Sequence, residues 1–122
     1  MSKAASTKEL GTMVSVLLPS VKMKSLSSRE TIFEREFHEF LLASFGGYTV
    51  ASGNITGYWR RRNLPDECNE HRRYEISIKT ERDRKLLELR VACLAQELGE
   101  TSIFCQRNGK AYLIRSMKER RR

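Results

Sequence analysis

Arg60, Arg61 and Arg62 stand together directly after Tyr58 and Trp59, and Arg72 and Arg73 follow ten residues later. A guanidinium pairs bidentately with phosphate oxygens, and several together gain affinity by displacing condensed counterions. Tyr58, Tyr74 and Trp59, the sole tryptophan, offer flat faces on which an unpaired base can stack. Arg120, Arg121 and Arg122 close a basic tail that begins at Lys118. All of these except Tyr74 form the candidate nucleic-acid-binding set. The bland alternative is a solvated loop whose arginines pair with Asp66, Glu67 and Glu70.

Other chemistry is thinly represented. Cys68 and His71 are three apart, and Cys93, Cys105 and His38 are further possible ligands. Structural zinc announces itself with two close ligand pairs, and one pair is present here, so no metal is expected. Cys93 fits a buried helix stripe and Cys105 a strand, where cysteine packs as a small hydrophobe. Glu34 and His38, four apart, share a helix face as a solvated contact rather than as an acid–base couple. The chain has no phosphate loop, no Gly-x-Ser-x-Gly elbow and no paired-carboxylate motif. The expectation is therefore a protein without enzymatic activity and without a cofactor.

Bulk properties support a polyanionic partner. The 122 residues suit one domain with a real core, and 23 Lys and Arg against 15 Asp and Glu give a net charge of +8. No apolar run reaches the roughly 18 residues that a membrane span requires. Residues 1–11 lack the apolar block of a secretory signal, and the three cysteines have no framework spacing, so a cytoplasmic location is expected.

Residues 1–11 read as a flexible lead-in, 12–116 as a single α+β domain and 117–122 as a basic tail. Met13 to Pro19 is an apolar run suited to a covered strand. Ser27 and Glu30 have capping-box spacing, and Phe33, Phe37, Phe40, Leu41 and Ser44 then mark one face of a helix. Gly46 and Gly47 stop that helix. Tyr48 to Trp59 favours strand with interruptions at Gly53 and Gly57, and Arg60 to Asn69, containing Pro65, reads as a loop. From Arg72 to Thr80 the chain alternates, with Tyr74, Ile76 and Ile78 on one side. Thr80 caps a second helix, whose stripe is Leu87, Val91, Leu94 and Leu98 and whose stop is Gly99. Asn108-Gly109 then predicts a C-terminal hairpin. The order is that of a ferredoxin-like βαββαβ sandwich, a four-stranded antiparallel sheet with two helices on one face.

With that order in place, Gly46–Val50, then Gly57 and Trp59, resembles the core of a small bacterial ferredoxin-like family of unknown function. Members carry a Gly-x-Thr-Val, Gly-x-Trp progression and a Ser-Ile or Ser-Val strand, here Ser102-Ile103. The resemblance spans about residues 45–115 and implies a fold, not a mechanism. The standard RNA-recognition mechanism is not expected, because Arg73, Glu75, Ser77 and Lys79 occupy the open-face positions where such domains carry aromatics. The expected function is non-enzymatic, phosphate-directed binding of nucleic acid or another polyanion through the arginine cluster. The alternative is a protein-interaction or inhibitor module that contacts an acidic protein through the sheet edge or open face. A homodimer is expected as well, with Tyr48, Val50 and Ile55 of the edge strand as the interface.

Overall fold

The computed structural model describes residues 4–51 and 55–117. Val14, Val16 and Leu18 alternate along β1 (Thr12–Pro19) and are fully enclosed, as a strand with one covered face requires. After Pro19 the chain coils into a single turn, α1 (Ser20–Met23), which places Met23 in the core. The next elements are α2 (Phe33–Phe45), β2 (Thr49–Val50) and β3 (Ile55–Trp59). They are followed by β4 (Glu67–Ile78), α3 (Glu81–Leu98), β5 (Ser102–Arg107) and β6 (Lys110–Arg115).

All strand pairings are antiparallel, in the order β2–β4–β1–β5–β6, and β3 lies beside β2 on the same edge of β4. The core forms where Val14, Val16, Leu18, Tyr74, Ile76, Ile78, Ile103 and Cys105 meet the apolar stripes of α2 and α3. Both long helices therefore cover one face of the sheet. Among the described residues, the other face, carrying Met13, Ser15, Leu17, Arg73 and Glu75, has no helix over it.

The four-stranded, two-helix ferredoxin-like sandwich expected from the element order is thus corrected, among the described residues, to a six-stranded sheet with three helices. Three local causes account for the difference. The edge strand splits into β2 and β3. The Asn108-Gly109 turn, with φ of 54° and 73°, launches β6 as a full strand of the sheet. Residues 20–23, directly after Pro19, fold into α1, a third helix beyond the two expected.

Helix ends follow the sequence in part. Thr80 Oγ1 accepts the Asp83 N–H at 3.0 Å, and Gly99 closes α3 in the left-handed conformation. The capping box at Ser27 does not start α2. That helix begins at Phe33 with Ile32 as its cap, while Ser27 accepts N–H groups of Arg29 and Thr31 within the preceding turn. Among the described residues no helix is long and apolar enough to cross a membrane.

Tyr74 is the core residue with a titratable consequence. It is 2% exposed, meets Phe37 edge to face at 5.3 Å and stacks on Tyr48 at 5.8 Å. Burial, reinforced by the Glu34 carboxylate, pushes its phenol up to about 12. The unfolded phenol releases its proton near 10, so the stability of the neutral buried group is complete below that pH. It should fall as pH rises from about 10 toward about 12, by about 2–3 kcal/mol. Alkaline unfolding followed by circular dichroism and phenolate absorbance should show both signals moving together, and Tyr74→Phe should move the midpoint to higher pH.

Candidate functional site

β4 begins at Glu67, within the stretch expected to be loop, and this extension builds a site. Because strand side chains alternate, Glu67, Asn69 and His71 share the helix-free face with Arg73 and Glu75. β3 pairs beside them in the register Ile55–His71, Gly57–Asn69 and Trp59–Glu67. On the inner side, Leu17 of β1 lies opposite Phe104 of β5.

The Trp59 indole folds across this surface. Its ring lies 6.3 Å from Phe104 at a tilt of 37°, and 6.5 Å from His71 at 89°. Gly57 permits that placement. A Cβ at this position would stand 3.2 Å from the indole and 3.3 Å from the His71 ring, closer than ordinary packing allows. Trp59 and Phe104 wall a cleft of about 260 Å³, with Leu17 and Leu113 as apolar lining and residues 100–102 at its rim.

Two carboxylates stand in this cleft. Glu67 accepts a hydrogen bond from Asn69 Nδ2 at 2.8 Å and has the Arg61 Nε at 3.8 Å. Glu100, in the turn between α3 and β5, accepts from Lys22 Nζ at 2.6 Å. His71 is 8% exposed, and its Nδ1 is buried with no hydrogen-bond partner among the described residues. The cleft therefore combines aromatic faces with anionic oxygens and one guanidinium, which suits a flat ring joined to a positive centre.

A solved structure of a phage SAM lyase, in complex with S-methyl-5'-thioadenosine, shares this fold. The TM-score is 0.57 at 11% identity, over 94% of this chain and 97% of the lyase. No family model and no curated protein matches the sequence.

The expected arginine knob does not assemble. Arg60 forms a two-point pair with Asp66, both contacts at 3.0 Å, and Arg61 turns toward Glu67 and the cleft. Arg62 is exposed on the same loop. Arg72 and Arg73, being adjacent on a strand, point to opposite faces. Arg72 hydrogen-bonds Glu34 of α2 on the helix side, and Arg73 has Glu75 at 3.6 Å on the other. Arg120, Arg121 and Arg122 lie outside the described residues. The reading as a non-enzymatic, phosphate-directed binder is corrected accordingly: the fold is shared with an enzyme, and Arg60, Arg72 and Arg73 each pair with a separate carboxylate instead of converging.

The alternative, a non-enzymatic interaction module using the sheet edge or open face, is corrected on the same ground, that the fold is shared with an enzyme. Of its three residues, Tyr48 turns inward, its hydroxyl 2.8 Å from His38 Nδ1 and its ring on Tyr74, while Val50 is exposed and Ile55 half-buried beside His71. Glu34 and His38 go to separate partners, Arg72 and Tyr48. Cys68 and His71, three apart on β4, fall on opposite faces.

Trp59 and Arg61 are the two residues of the original set that line the cleft; Tyr58 is 74% exposed beside them. Glu67, His71, Glu100 and Phe104 were missed as site residues. One available signal was the two-residue rhythm of Glu67, Asn69, His71 and Arg73, which carries the strand back through the presumed loop.

Proposed function

We propose that the protein is an enzyme of the lyase type whose cleft takes a sulfonium nucleoside, S-adenosylmethionine, and retains its thioether product, S-methyl-5'-thioadenosine. The observation that carries this reading is the pairing of the Trp59–Phe104 aromatic wall with Glu67 and Glu100 in one cleft. The fold shared with a SAM lyase supports it. Aromatic faces suit both an adenine ring and a sulfonium, and the carboxylates suit the sulfonium and the amino-acid ammonium. Arg61 offers a partner for the substrate's own carboxylate.

A lyase step on this substrate breaks a carbon–sulfur bond, with both bonding electrons passing to sulfur. The departing carbon fragment then either loses a proton or is captured by its own carboxylate oxygen. Glu67 and Glu100 are the cleft groups able to accept such a proton or to hold the ammonium in place.

The test is direct. Trp59 is the only tryptophan, so its fluorescence reports the cleft. Titration with S-methyl-5'-thioadenosine should give a saturable change, and incubation with S-adenosylmethionine should release the thioether, detected by mass spectrometry. Absence of both responses at millimolar ligand would reject the reading.

A further inference from the structure

Glu100 meets the cleft with a positive charge already on it. Its partner, Lys22, is 78 residues away in sequence and sits on α1, the turn that places Met23 in the core. Met23 is fully buried, so the backbone beneath Lys22 is anchored. The lysine side chain itself is 47% exposed and swings on a flexible stem, while Glu100 is 23% exposed. An exposed ammonium held on the cleft-lining carboxylate occupies the ground that a ligand's cation would need.

We propose that Lys22 is an internal competitor that sets the charge selectivity of the cleft. It rests on the reading above that the cleft takes a sulfonium nucleoside. A cationic ligand must displace the Lys22 ammonium from Glu100 or share the carboxylate with it, whereas a neutral thioether need not. Lys22 thereby compresses the difference between a sulfonium substrate and its neutral product, and so disfavours tight retention of the cation in the cleft. Glu67 has a cation beside it too, but at longer range, Arg61 Nε at 3.8 Å against 2.6 Å for Lys22 on Glu100.

The experiment compares the parent with Lys22→Met, which keeps the stem and removes the charge, and with Lys22→Arg, which retains it. S-adenosylmethionine, S-methyl-5'-thioadenosine and S-methylmethionine, a sulfonium amino acid without the nucleoside, are the probes. Calorimetry gives each affinity. Removing one unit charge at contact distance from a part-exposed carboxylate should tighten the sulfonium nucleoside by about three- to tenfold. The neutral thioether should change by less than about twofold, and Lys22→Arg should keep the parent ratio.

An unchanged or reversed ratio in Lys22→Met overturns the proposal while leaving the cleft assignment standing. A parent that binds neither nucleoside instead rejects the nucleoside reading. S-methylmethionine then decides the competitor: tighter binding to Lys22→Met than to the parent supports it, and no gain rejects it.

Discussion

Trp59→Ala is expected to weaken binding of S-methyl-5'-thioadenosine by about 10- to 100-fold. Removing one base–aromatic stack costs about 1–3 kcal/mol in comparable sites, and loss of a face for a sulfonium adds about 0.5–2 kcal/mol for the charged ligand. The cleft loses the indole from its aromatic wall, where the Trp59 ring packs against that of Phe104 at 6.3 Å. The fold should survive, because Trp59 is 38% exposed and belongs to an edge strand rather than to the core. Calorimetry is the required readout, as the substitution removes the fluorophore. Trp59→Phe should recover part of the affinity, and Tyr58→Ala, at a 74% exposed neighbour, should bind as the parent does. Equal affinities for parent and Trp59→Ala would place the ligand elsewhere.

That expectation also shows why the site was only half legible. Trp59 and Arg61 stand out in the sequence as a flat ring beside a cation, and both line the cleft. A shared phosphate partner for the arginines does not follow, because cations adjacent in sequence need not be adjacent in space. On a strand, Arg72 and Arg73 point to opposite faces, and Arg60 is directed toward Asp66 by a two-point pair. Glu100 and Phe104 join the cleft through long-range strand pairing. No local pattern ties them to Trp59, more than 40 residues earlier.

The helices and the hairpin were legible because their signals are local. Thr80, Gly99 and Asn108-Gly109 each specify backbone geometry within a few residues. The strand boundaries were not, because polar residues such as Glu67 and Asn69 are compatible with both loop and an uncovered sheet face. Only pairing with β3 decides between the two. The same ambiguity concealed α1, whose four residues have no side-chain cap at the N-terminus and bury Met23 at the other end.

Phe37→Ala tests the core that holds this arrangement and should be the most destabilising of the substitutions considered. Phe37 is fully buried on α2, stacks on Phe40 at 6.3 Å and meets Tyr74 edge to face at 5.3 Å. Truncation removes the ring and leaves a cavity between α2 and β4 that rigid neighbours fill only in part, for a cost of about 3–5 kcal/mol. Stabilities of domains this size are about 5–15 kcal/mol, so the variant should melt well below the parent, by about 4 °C per kcal/mol. Phe40→Ala, at a half-buried position on the same helix, should cost clearly less. Denaturant titration separates the two. If Phe37→Ala proves no worse than Phe40→Ala, the ring does not carry the packing between α2 and β4. Because Tyr74 loses its edge-to-face partner, the same variant should also let its phenol titrate closer to the ordinary value, linking the helix face directly to the strand that bears Glu67 and His71 on its other side.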